Sequence, residues 1–280
     1  MAGRRLIVNA DDFGWSEGVS AGILCAHREG IVSSTTLMVN MPSAEGAVEL
    51  LNSAKGLGVG VHLNLCQGPP LTEAARDALA GPDGRMEYKA SQLARRYLAC
   101  GRVRRAVAEE LEAQIRWARQ HGLPITHLDS HRHVHAFPPI FSLVCRLAGR
   151  YKIAWIRWPV ERLAGQALPG EARGQRSVVR QLRMMMFLNG LRFRRPGRAD
   201  AFFGIGATGF LDSQLLRSIL RCVPQGLSEL MVHPGLMDSA GATGTRLVAS
   251  REAELAALCD PQVRLELETQ GIELTHYGTL

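Results

Sequence analysis

Short apolar runs that stop on turn or polar residues recur along the chain: Leu6 to Asn9, Ile31 to Asn40, Gly58 to Leu65, Ile125 to Ser130, Ile153 to Pro159, Ala201 to Ile205, Ser228 to His233 and Ile272 to His276. Several of the intervals have helical periodicity. Ser16 to Glu29 places Val19, Ile23, Leu24 and Ala26 on one face behind a Ser16 N-cap. Ala44 to Ala54 and Val103 to Gln120 are amphipathic in the same sense, the second with Glu110, Gln114, Arg116 and Arg119 expected to face out. Pro138 to Arg150 opens with prolines suited to a first helical turn. Strands alternating with helices predict a parallel sheet with helical crossovers. The fold class expected is α/β, a TIM-like (β/α) barrel, with residues 1–280 forming a single domain.

Two stretches interrupt the alternation. Gly68 to Ser91 is rich in glycine, proline and charge, which predicts a long loop over one end of the barrel. The other is an insertion at about 165–198, where eight arginines and no acid lie between Arg173 and Arg198. Its apolar positions Val178, Val179, Leu182, Met185, Met186 and Leu188 fit one broad helical face, so a lid or dimer helix is expected in preference to one lying on a membrane.

Composition narrows the class. With 46% hydrophobic and 21% charged residues the chain reads as a soluble globular protein, and its net charge of +7 is concentrated in that insertion. No window approaches the roughly 18 apolar residues of a membrane span. The apolar run after Arg4 and Arg5 ends on Asp11, too soon for a secretory signal, and the six scattered cysteines include no CxxC pair. These features predict reduced thiols in a cytoplasmic protein. There is no GxSxG elbow and no phosphate loop; Gly204 to Gly209 has dinucleotide-loop spacing but lacks the acid expected about 20 residues on.

The candidate chemistry sits at strand ends, where parallel α/β folds bind ligands. The first strand stops on Asp11-Asp12, and neighbouring carboxylates repel unless a cation or shared proton neutralises them. Three later strands finish on His62, on the cluster His131, His133 and His135, and on His233. One carboxylate with two imidazoles suits a divalent metal, zinc or magnesium, leaving the second carboxylate free to act as general base on a bound water. His131 is a ligand candidate whether its segment is extended or helical, and His135 is the second candidate. His127 and His133 are as readily structural, and Asp129 is placed to fix a histidine tautomer. His233 could protonate a leaving amine. Arg157 could anchor a carboxylate, phosphate or sugar hydroxyl, or pair with Glu161, while Trp15 and Trp158 could stack on a sugar or pack in the core.

Four motifs carry a resemblance: Asn9-Ala10-Asp11-Asp12-Phe13-Gly14, Gly60-Val61-His62-Leu63-Asn64-Leu65, Thr126-His127-Leu128-Asp129-Ser130-His131-Arg132-His133-Val134-His135, and Val232-His233-Pro234-Gly235. In this order they resemble the YdjC-like carbohydrate deacetylases, a family that includes chitooligosaccharide and hopanoid-associated deacetylases. The resemblance implies a barrel of the polysaccharide-deacetylase type, often dimeric, that removes acetyl groups from N-acetylated amino sugars using a divalent metal. It places the catalytic base on Asp11, the metal ligands on Asp12, His62 and His131, and the proton donor on His233; Trp15, His135 and Arg157 are substrate-binding candidates beside them. The expected partners are an N-acetylated amino sugar or glycoside and a second copy of the chain, with neither nucleic acid nor a transmembrane segment. Arg132 stands where many members have histidine, Trp15 where a smaller aliphatic residue is usual, and the arginine-rich insertion argues against plain chitobiose as substrate. Two other functions fit the residues less well: a non-catalytic carbohydrate-binding protein that keeps the metal, and a metallophosphatase acting on an anionic substrate.

Overall fold

The structure is a computed structural model that describes residues 3–161, 168–192, 196–240 and 244–280. Strand β1 (Arg4–Phe13) leads to α1 (Glu17–Arg28), β2 (Ser34–Leu37) to α2 (Ala44–Ser53), and β3 (Gly58–Leu63) to a side unit of β4 (Gln67–Gly68), α3 (Glu73–Leu79), β5 (Met86–Glu87) and α4 (Ala90–Ala99). Then come α5 (Gly101–Gln120), β6 (Ile125–Ser130), a 3-10 turn (His131–Ala136), α6 (Pro138–Arg150) and β7 (Trp155–Ile156). The chain continues through α7 (Arg173–Arg192), β8 (Ala201–Phe203), α8 (Ser213–Arg221), β9 (Gly226–Val232), α9 (Ala249–Leu258), α10 (Pro261–Thr269) and β10 (Ile272–Leu274). Each expected strand has a counterpart, and the Ser16 hydroxyl caps α1 by accepting from the Val19 amide.

The main sheet is parallel, in the order β7-β6-β3-β2-β1-β9-β8, with β10 also beside β1. Leu6 to Phe13 are buried without alternation, as expected of a central parallel strand covered on both faces. The sheet curls. Among the described residues its two edges meet through isolated parallel bridges, Trp155 with Gly197 and Glu161 with Phe202, and not through a continuous ladder. The TIM-like expectation therefore holds as a curled parallel sheet, a half-barrel with helices around it. One apolar cluster runs through it from Leu6 to Ile272.

Two expectations fail for a common reason. The stretch from Gly68 to Ser91 contains a capped helix, α3, and the short antiparallel pair β4–β5, and it packs over α5. Glu110 and Gln114, expected to face solvent, are fully buried beneath it. The Glu110 carboxylate accepts from the Leu71 and Thr72 amides at 3.0 and 2.9 Å, and Gln114 pairs with both backbone groups of Asn64.

The single broad face expected of α7 splits into two, and part of the 165–198 insertion lies outside the described residues. Val179, Leu182 and Met186 turn inward with Gln175 and Asn189, against α6 and the 3-10 turn, whereas Val178 and Leu188 are exposed. No described helix is long and apolar enough to cross a membrane, and all six cysteines are free thiols.

Candidate metal centre and active site

The site begins with an irregularity in β1. Ala10 lies opposite Thr35 on β2 and Phe13 opposite Leu37, so β1 holds one more residue than β2 over this span. The extra residue is accommodated by Asp12, whose φ of 69° lies in the left-handed region that non-glycine residues enter at a cost of order 1–3 kcal/mol. Asp11 and Asp12 consequently aim in different directions.

Asp12 faces a cradle. Its Oδ1 is 3.1 Å from His131 Nδ1 and 3.4 Å from His62 Nε2, and one donor atom from each of these three residues falls within 4.8 Å of the others. The Asp129 carboxylate sits 2.7 Å from His62 Nδ1 and also accepts from the Thr36 hydroxyl. Asp129 thus holds a proton on Nδ1, so Nε2 is the nitrogen left facing Asp12, and it is the one that would bind a metal in exchange for its proton. Three anionic or lone-pair donors aimed at one point fit a divalent cation. Burial alone would lower the pKa of His62, but Asp129 and Asp11 outweigh it and raise it to about 9. His131 is shifted down, chiefly by burial. Asp12 stays well below the usual carboxylate range despite burial, because Arg251 donates to its Oδ2 at 2.6 Å and the His131 and His62 rings lie beside its Oδ1.

Asp11 belongs to a different network. Arg157, fully buried, grips it with two parallel bonds of 2.6 Å, and also meets Asp129 at 2.7 Å and Glu229 at 2.7 Å. Asn9 donates to Asp11 at 2.9 Å, and the Tyr277 hydroxyl to Glu229 at 2.6 Å. Asp11 is buried, which opposes ionisation, yet Arg157 drives its pKa down and keeps it charged. The expected role for Arg157, anchoring a substrate group or pairing with Glu161, is replaced by this inward clamp on Asp11, Asp129 and Glu229. Glu161 accepts from the Gly204 and Gly206 amides at 3.0 and 2.8 Å, so the glycine loop with dinucleotide spacing closes on a protein carboxylate.

His233 follows β9 directly. Burial lowers its ring to about 4, although Asp11 and Asp12 favour the charged form, so it is neutral at pH 7. Its backbone amide donates to Glu254 Oε2 at 2.6 Å, and burial raises Glu254 to about 7. Arg251 and Glu254, one turn apart on α9, therefore hold Asp12 and His233 respectively. Sequence reasoning missed both, because Arg251, Glu252 and Glu254 together read as the solvated face of a helix. Gly235 makes room for this arrangement, since a Cβ there would lie 3.2 Å from the Arg251 side chain.

The three histidines of the cluster are neither extended nor α-helical, because Arg132 and His133 both adopt left-handed backbone. That turn sends His131 to Asp12 and the other two inward. His135, an expected substrate contact, is fully buried, its Nδ1 2.5 Å from the Ser130 hydroxyl and its Nε2 3.1 Å from the Arg157 carbonyl. With both nitrogens engaged it supports the floor. His127 lies beneath too, with Nε2 3.1 Å from Asn9 Oδ1. Trp15 is 3% exposed, tilted against His131 with ring centres 5.6 Å apart. It also walls a cleft of about 430 Å³ together with Met41, Gln67, Arg85 and Glu87.

The profile of the YdjC-like protein family matches residues 5–269. A carbohydrate deacetylase of Brevibacillus brevis is 35% identical over 280 residues, covering 99% of both chains. A carbohydrate deacetylase of Geobacillus stearothermophilus is 34% identical over 275 residues, covering 98% of this chain and 97% of its own. The crystal structure of an Enterococcus faecalis protein, provisionally named a cellobiose-phosphate cleavage protein, superposes with a TM-score of 0.77 over 99% of both chains at 23% identity, a likeness of fold. With a profile match across nearly all its length and full-length relatives above 30% identity, the chain belongs to the YdjC-like family.

Proposed function

We propose that this protein is a metal-dependent carbohydrate deacetylase that removes the acetyl group from an N-acetylated amino sugar. The observation that carries this reading is the convergence of Asp12, His62 and His131 on one point with a second, separately held carboxylate, Asp11, alongside. It is supported by relatives named carbohydrate deacetylase over the full length.

Asp12, His62 and His131 would hold one divalent ion, zinc or magnesium, which when bound supplies Lewis acidity toward the acetyl carbonyl and a water. Asp11, kept ionised by Arg157, accepts the proton as the water attacks. His233 starts neutral, with the Asp11 and Asp12 charges favouring its protonated form; it takes up a proton from solvent and delivers it to the sugar nitrogen as the C–N bond breaks and acetate leaves, while Asp11 returns the proton of the attacking water to solvent. The cleft beside Trp15 offers an aromatic edge and the polar groups of Gln67, Arg85 and Glu87 to sugar hydroxyls. The family resemblance further implies a homodimer, and the scattered cysteines with no CxxC pair favour a cytoplasmic location.

Acetate release from a panel of N-acetylated amino sugars, with and without chelator, tests the reading. Asp11→Asn is expected to keep the bound metal while turnover drops by about 10²–10⁴-fold, whereas His62→Ala loses both. Full activity in Asp11→Asn, or activity indifferent to chelation, would refute it.

A further inference from the structure

Helix α7 has an unusual outer face. Opposite the side that packs on α6, Met184, Phe187, Leu188 and Leu191 form a stripe at helical spacing, 62, 62, 44 and 70% exposed. The same stripe continues toward the start of the helix with Arg173 and Arg180, and Arg176 and Arg183 edge it, all four exposed. Between the stripe and Trp158 and Val160 lies an apolar groove of about 640 Å³, with the Arg198 guanidinium 4.3 Å over the Trp158 ring.

We propose that this face rests on an anionic lipid surface, with α7 lying in the plane of the headgroups. Large apolar side chains of this kind enter the boundary between headgroups and acyl chains, and flanking arginines meet lipid phosphates, each strengthening binding by about fivefold. The charge on the page decides between this occupant and others. A second copy placed symmetrically on the same face would bring the arginines of two helices into one interface, and α7 carries no acid to offset them. A nucleic acid would answer the arginines but leave four large apolar side chains uncovered, with Phe187 alone able to stack on a base. The helix is too polar to cross a bilayer, as a helix lying on one should be.

The test is flotation of the purified full chain with vesicles of phosphatidylcholine alone and with vesicles containing phosphatidylglycerol as well. Binding is expected to the anionic vesicles, weakening as salt rises. The double variant Arg180→Glu, Arg183→Glu should bind at least about tenfold more weakly, and Phe187→Ser, Leu191→Ser should also lose binding. Both pairs are exposed, on the face of α7 turned away from the side that packs on the 3-10 turn, so circular dichroism and acetate release from a water-soluble sugar should match the unaltered protein. The proposal is overturned by failure to bind anionic vesicles, by equal binding to neutral ones, or by full binding of the charge-reversed variant. It is also overturned if sedimentation shows a dimer that these substitutions dissociate while vesicles remain unbound, which would assign the face to a second copy.

Discussion

Arginine serves two opposite purposes in this molecule. Arg157 and Arg251 are buried to within 1% exposure, each donating to a carboxylate of the Asp11-Asp12 pair at 2.6 Å. On α7, Arg173, Arg176, Arg180 and Arg183 stand in solvent with no acid on their helix. Taking a guanidinium out of water costs several kcal/mol, and only closely held carboxylates offset that. An interior arginine therefore reports a geometry that its acids must keep. The exterior ones bear no such penalty, and their charge stays available to something outside the protein.

The contrast is most severely tested at Arg157. Arg157→Ala leaves Asp11, Asp129 and Glu229 buried without their shared cation, and we expect a loss of about 3–5 kcal/mol in urea unfolding. Unchanged stability would mean that the floor does not depend on that arginine. A smaller effect is expected at Asp129, which holds the His62 tautomer. Asp129→Asn should weaken zinc binding, measured by titration calorimetry, by about tenfold to a hundredfold. The mildest case lies between the two regions, where the half-exposed Arg217 and the exposed Arg221 pair with Glu266 at 3.2 and 2.7 Å. Arg221, assisted by Gln270 and Arg217, lowers the Glu266 pKa to about 2. A depressed carboxyl contributes stability above its unfolded value, near 4.5, and loses it as pH falls toward 2. Glu266→Gln should lower the melting temperature at neutral pH and converge with the unaltered protein as pH falls toward 2, flattening the acid limb in that window.

The sheet was legible because central parallel strands are apolar without alternation and stop on turn or polar residues, as Leu6 to Asn9 does. The strand ends likewise exposed Asp11, Asp12, His62, His131 and His233, since this architecture delivers ligands at one rim. What stayed hidden is what helices bury. Charged and polar positions on a helix read as solvent-facing, so Glu110, Gln114, Arg251 and Glu254 gave no sign that a neighbouring element covers them. The inward turn of His133 and His135 was equally hidden, because left-handed backbone at two successive non-glycine residues has no composition signature. Arg157 looked like a substrate anchor for want of its three partners, which come from β1, β6 and β9.

The extra residue in β1 makes this chemistry separable from the architecture. Were either member of the Asp11-Asp12 pair deleted, the ladder between Ala10–Thr35 and Phe13–Leu37 would run in even step, and the strand would be more regular for the loss. A descendant of this chain could thus forfeit catalysis through a single lost codon and keep its strand pairing, but Arg157 or Arg251 would be left facing the gap without its carboxylate, so the scaffold would weaken with the loss.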